Sequence, residues 1–344
     1  MLTGPTCFPP DPACGRPLLN SARYHAAMVF RHAHPADLGW PNRCLPALGL
    51  LAVALLFWGA DREALRGFSP AAICGLLGLS ALNFAARALR WHFSVRHLGL
   101  CTGLWINLRH YLAGLAMVMT PARIGEVIRL RWLQQRTGWP IARTAPLLLL
   151  DRAADLVALA VLLALSAMVS RPPSMLAWPL AVSACVLGCA ILQPAIWTRG
   201  LSLVGPLARA GPRLYGRLRT AARGLEQFCA PGVIASGLGL GLAGWFAEGV
   251  AFHLVLCWLD QDLGLPVAVS IFAISTLAGG ALGTPGGLGG AEVRMVALLT
   301  AHAVPVEVSL AGTALIRLTT LGFATALGAM FLPFAERGGR RSDA

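Results

Sequence analysis

The chain contains no lysine: all 28 of its basic residues are arginine. Charge of either sign is scarce, at 12% of residues against 56% hydrophobic, and mean hydropathy is +0.66. A soluble domain carries about a quarter charged residues, so this chain must keep most of its surface in lipid. The lack of lysine, beside abundant Ala, Gly and Pro, reads as the mark of a GC-rich genome. The formal charge of +13 does not call for a nucleic-acid partner, because arginines of a membrane protein collect in cytoplasmic loops. No HExxH, P-loop, nucleotide fingerprint or nucleophile–base arrangement occurs. The reading is therefore no enzyme and no cofactor.

The start of the chain lacks the charged-then-apolar pattern of a signal peptide. It is Pro-rich to about Asp37 and reads as a disordered approach over 1–44, with Met28 as an alternative first residue. Nine cysteines are scattered. Cys185 and Cys189 are four apart, but no histidine or carboxylate near them in sequence completes a metal set, so they read as small apolar filler. His92, His97, His110, His253 and His302 stand isolated in sequence.

Apolar runs long enough to cross a bilayer lie near 45–60, 70–91, 145–169, 176–197, 231–258 and 306–334. Two further runs, 104–119 and 266–283, end at Thr-Pro breaks. The first has 16 residues, about 24 Å of helix, short of the roughly 30 Å hydrocarbon core. Each reads as half of a re-entrant pair. Arginine clusters at 16–43, at Arg87, Arg90 and Arg96, at 129–143, at 199–223 and at 337–341 all fall inside if there are six spans and two re-entrant pairs. Asp260 and Asp262 then fall outside. The expected fold is an all-α polytopic membrane protein with a membrane domain over 45–334. It comprises two inverted repeats (70–169 and 231–334), an Arg-rich interfacial linker at 199–230 and a cytoplasmic tail at 335–344.

The breaks form a pattern that occurs twice. The first copy reads Thr120-Pro121-Ala122-Arg123-Ile124-Gly125-Glu126, the second Thr284-Pro285-Gly286-Gly287-Leu288-Gly289-Gly290-Ala291-Glu292. Each is followed by a lone arginine in an apolar run: Arg152 lies 32 positions after Thr120, and Arg317 lies 33 after Thr284. Broken apolar segments at matching places in two halves point to the binding site of a transporter. Threonine caps helix starts and proline suits the first helical position, so each Thr-Pro is expected to open a half-helix whose free N–H groups suit an anion. Gly286 and Gly287 would let a ligand or another helix approach the backbone. Glu126, Asp151, Arg152, Asp155, Glu248, Glu292 and Arg317 lie deep in apolar runs, where ions face a protein interior or an aqueous cavity. Internal pairing would join Arg152 to Asp155 or Glu126 and Arg317 to Glu292. Arg123 and Arg129 are placed to reach headgroups or to set topology.

Tyr111-Leu112, Thr120-Pro121-x-Arg123-x-Gly125-Glu126, Thr137-Gly138, Asp151-Arg152-x-x-Asp155, Thr284-Pro285-Gly286-Gly287-Leu288-Gly289 with Glu292, and Arg317 together resemble the flippase-like membrane family related to the membrane region of lysylphosphatidylglycerol synthases. The resemblance covers roughly 45–334. Two details depart from it: Gly290-Ala291 stand before Glu292, and Asp151 stands where the family often has glutamate. The resemblance implies a polytopic helical fold that moves a lipid or lipid-linked headgroup between leaflets. It also implies that the soluble aminoacyl-transfer domain of the true synthases is absent after Ala344. The expected protein is a multi-pass transporter of the bacterial inner membrane with both termini cytoplasmic, acting on an anionic or zwitterionic lipid. The alternatives are a membrane-embedded transferase using Asp151, Asp155, Glu126 or Glu292 as acid or base, and a scaffold for a lipid or glycan synthase.

Overall fold

The computed structural model describes residues 69–120, 126–170, 177–203, 212–281 and 284–339, and these are helical with no strand among them. The span expected at 45–60 and the reading of Arg123 lie outside the described residues. Among the described residues twelve α-helices of ten or more residues follow in order: α1 Pro70–His97, α2 Leu104–Gly114, α3 Ile128–Thr137, α4 Pro146–Val169, α5 Ala177–Leu192, α6 Pro194–Leu203, α7 Pro212–Gly224, α8 Pro231–Trp258, α9 Leu265–Ala281, α10 Gly290–Ala301, α11 Val306–Arg317 and α12 Phe323–Gly339.

Among the described residues three helices are long and apolar enough to cross a membrane: α1, α8 and the continuous Val306–Ala335. A fourth is counted if α5 and α6 form one span, but these bend by 70° at their junction. Pro194 starts α6 there, and its ring cannot continue the helix before it. The apolar run expected to span at 176–197 is thus bent in the structure. α4 has 24 residues but carries three charges in its first half.

Local chemistry sets the helix ends. Ser69 caps α1, its hydroxyl accepting from the Ala72 N–H at 3.1 Å, with Pro70 in the first turn. Thr137-Gly138 ends α3: Gly138 has φ 76° and its N–H donates to the Gln134 carbonyl at 2.8 Å. Within 306–335 a π-helical segment, Leu318–Gly322, follows Arg317 directly. The Thr319 and Thr320 hydroxyls donate to the carbonyls of Leu315 and Ile316 there.

α1 and α8 pack along each other at the centre. Gly241 and Gly244 of α8 make this possible: an added Cβ would come within 3.1 Å of Arg90 Nη1 and 2.9 Å of Asn83 Oδ1 respectively. Small residues thus let polar side chains of α1 bury against a helix backbone, as they do in membrane interfaces. α9 and α10 fold back on each other, and α2 and α3 also touch. α4 packs on α9, while α12 packs on α2 and on the turn after it. Leu82, Met168, Val182, Val186, Phe246, Val293 and Met330 are exposed, an apolar exterior suited to lipid.

Candidate functional site

α2 ends at Gly114 and the tighter turn Leu115–Met117 follows; residues 121–125 lie outside the described residues, and α3 runs from Ile128 beyond them. The Thr120 hydroxyl donates back to the Met117 carbonyl at 2.8 Å. In the second break the chain turns through Gly286 (φ 61°), Gly287 (φ 73°) and Gly289 (φ 82°), and α10 starts at Gly290 with no side-chain cap. The expectation that Thr284 caps a half-helix is therefore corrected, while the same expectation for Thr120 falls on residues outside the described ones. Three positive-φ glycines use up the residues after Thr284 in a turn, which postpones the helix. The two breaks do meet: a Cβ on Gly286 would lie 2.9 Å from Met119 Sδ, and Val118, Met119 and Leu321 share a buried cluster packed by Leu288.

Gly287 sits beside the Gly279 backbone, where a Cβ would find 3.4 Å, ordinary contact distance. Its positive φ is the costlier feature, since a Cβ in left-handed backbone costs roughly 1–2 kcal/mol. Gly287→Ala is accordingly expected to lower stability by about that much, read by thermal unfolding in detergent. An unchanged melting temperature would show that the turn relaxes without strain.

Beside the second break lies a cavity of about 570 Å³. Its lining holds Arg152, Asp155, Trp245, Thr284, Arg294 and Arg317 together with leucines and alanines of α4, α5 and α9. Of the residues singled out in the sequence, Arg152, Asp155, Thr284, Gly286, Gly287 and Arg317 line it together; Thr120, Glu126, Asp151, Glu248 and Glu292 do not. The Thr284 hydroxyl oxygen is buried and has no hydrogen-bond partner among the described residues.

Behind the cavity lies a buried ion network. Arg87 meets Asp155 at 2.6 Å, and Arg90 meets Asp151 at 2.5 Å and Asp155 at 2.7 Å. Arg129 lies 2.9 Å from Glu126 and 3.6 Å from Asp151, stacked over Trp91 and Tyr111. Arg152 pairs with Glu126 and lies 4.0 Å from Asp155. Trp245 Nε1 donates to Asp155 at 3.2 Å, and Arg87 sits over its ring. Glu248, one turn further along α8, is buried and within electrostatic reach of Arg87. In the second half Arg317 Nε donates to Glu292 at 2.5 Å and its Nη2 to the Gly286 carbonyl at 2.9 Å, tying the turn to α11. The internal pairs named from the sequence thus form.

Sequence reasoning misplaced Arg87, Arg90 and Arg129. They read as cytoplasmic topology charges or headgroup contacts, yet they are 6%, 2% and 1% exposed. Ser80, Asn83, Arg87, Arg90 and Ser94 recur at alternating steps of three and four and are all buried. This polar stripe marks an inward helix face and could have revealed them. Gly114 makes room for Arg129, since a Cβ there would meet Arg129 Nε at 2.6 Å. Arg294, also missed, is exposed on α10 and has no ion-pair partner among the described residues.

The charges around the cavity therefore divide unevenly. Arg87, Arg90, Arg129 and Arg152 stand among the carboxylates of Glu126, Asp151, Asp155 and Glu248, and Arg317 is paired with Glu292. Arg294 adds a positive charge that the site's carboxylates do not offset.

Comparison with known proteins agrees with this architecture. The family described as the lysylphosphatidylglycerol synthase TM region matches residues 45–328. A UPF0104 membrane protein of Methanothermobacter thermautotrophicus is 29% identical over 125 residues, which cover 34% of this chain and 36% of that protein. The match thus spans about a third of that relative's length.

Proposed function

Starting from the chain's membership of the lysylphosphatidylglycerol synthase transmembrane-region family, we propose that it moves a lipid bearing an anionic or zwitterionic headgroup between the leaflets of a bacterial inner membrane. The observation that carries this reading is the mixed lining of the cavity. Arg152, Arg317, Arg294 and Thr284 line it together with leucines and alanines, so it offers partners for a phosphate and for the first methylenes of an acyl chain. The phosphate meets the arginines as bidentate, charge-assisted partners, competing with Glu126 and Glu292. Release lets each arginine return to its carboxylate, so neither charge is left bare in the membrane during the cycle.

The inverted arrangement belongs to the same proposal. It counts six spans with two re-entrant pairs and places both termini in the cytoplasm. α2, α9 and α10 have 11, 17 and 12 residues, roughly 16, 26 and 18 Å, each short of the hydrocarbon core. α1 and α8 both have 28 residues. The exit helix of each unit packs on the broken segment of the other: α4 on α9, α12 on α2. That reciprocal exchange supports two related units around one site, and rocking of one against the other would open the cavity to each face in turn.

A transferase reading finds less support. Asp151, Asp155, Glu126 and Glu292 are each engaged by arginine in an ion pair, and of the four only Asp155 lines the cavity.

The test is transport of fluorescent phosphatidylglycerol in proteoliposomes, with Arg294→Gln as the informative variant. The side chain is exposed, so melting temperature should not change. A single arginine contributes about 1 kcal/mol to anionic lipid attraction, so the half-saturating concentration of an anionic lipid should rise roughly fivefold, with little change for a neutral one. Equal effects on both lipids would sink the charge reading, and no transport of any lipid by the native protein would sink the function.

A further inference from the structure

At the end of α8, away from the cavity, three side chains that stand apart in sequence come together. The ligand atoms of His253, Cys257 and Asp262 all lie within 4.8 Å of one another. We propose that they form a binding site for a divalent cation of zinc-like chemistry, clipping the last turn of α8 to the connection into α9.

The donor set carries the choice of ligand. Thiolate, imidazole and carboxylate together suit zinc, and hard cations such as magnesium or calcium would refuse the sulfur. Cys257 Sγ lies 3.6 Å from His253 Nε2. Around a tetrahedral zinc, with bonds of about 2.3 Å to sulfur and 2.0 Å to nitrogen, the sulfur–nitrogen edge is roughly 3.5 Å. The two residues are four apart in the final turns of α8, on one face.

The connection supplies the third ligand. Asp260 (φ 56°) and Gly264 (φ 78°) bend the chain back. Asp262 Oδ1 accepts from the Gly264 N–H at 2.9 Å, which holds the carboxylate beside the helix end and leaves lone pairs for a cation. The C-terminus of α8 adds its own negative dipole. Asp262 is exposed while His253 and Cys257 are half-buried, so a cation enters from water and keeps a fourth position for a water ligand. On binding, the Cys257 thiol loses its proton to solvent, and thiolate and carboxylate together neutralise the divalent charge.

Full-length protein in detergent, freed of metal with EDTA, is titrated with Zn2+ by calorimetry and with Co2+ by absorption. The native protein should bind both, with a thiolate-to-cobalt charge-transfer band. Cys257→Ala and His253→Ala should each lower the zinc stoichiometry by one site. Asp262→Asn, at an exposed position where the amide oxygen can still accept from the Gly264 N–H, should weaken that site by more than about tenfold, the lower range for losing even an outer-shell partner. A Cys185→Ala, Cys189→Ala variant should keep the site and the band. Zinc stoichiometry and affinity unchanged in all three ligand variants would overturn the proposal. A cobalt band that survives Cys257→Ala would overturn it equally.

Discussion

Asp155→Ala is expected to destabilise the protein by about 3–5 kcal/mol, the cost of removing one partner from a buried ion pair. Asp155 accepts from Arg87, Arg90 and the Trp245 indole at once, so its loss takes the ion-pair partner from buried Arg87 and leaves buried Arg90 with Asp151 alone. Arg87 and Arg90 are on α1, Asp155 on α4 and Trp245 on α8, so the carboxylate is the point where three long helices are tied. Thermal unfolding in detergent, followed through tryptophan fluorescence, measures the loss. Replacing the pair together, as Arg87→Met with Asp155→Leu, should recover much of it, because a well-packed apolar pair avoids the desolvation cost. A single variant that melts like the native protein would show that the helices are held by packing alone.

Arg317→Lys is expected to leave stability close to native and to lower transport by about ten- to hundredfold. Lysine keeps the positive charge opposite Glu292. It cannot also hold the Gly286 carbonyl, which the guanidinium reaches through a second nitrogen, nor can it grip phosphate with a planar fork. A hydrogen bond to a charged group is worth about 1.5–3 kcal/mol, which corresponds to that range in rate. Initial rates in proteoliposomes, with protein matched for folded fraction, give the answer. Arg152→Lys should behave alike if the two breaks act as equivalents. Normal transport by both lysine variants would remove these arginines from the substrate's path.

The membrane character, the helical class and the places where the spans break are written in composition and in local chemistry. An apolar run of twenty residues has nowhere to go but lipid, and the Thr-Pro and glycine signals mark the breaks whatever surrounds them. The pairing of Arg317 with Glu292 was also legible, because the two matched breaks each place a carboxylate and an arginine at similar spacing.

Tertiary structure decided what the arginines do. Positive-inside reasoning treats an arginine at a span's end as a solvated loop charge, and it cannot tell Arg96, which is exposed, from Arg90, six residues earlier and buried. The difference comes from Gly241 and Gly244 of α8, over 150 residues away, whose missing side chains leave the space, and from Asp151 and Asp155 of α4, which supply the charge. Burial of an ion depends on partners brought by other helices, and sequence spacing within one helix records only its own face. The same holds at the breaks. Thr-Pro announces an interruption, but where the next helix starts depends on Gly286, Gly287 and Gly289 turning against Gly279 and Met119. That long-range contact brings Met119, just before the first break, against Gly286 of the second.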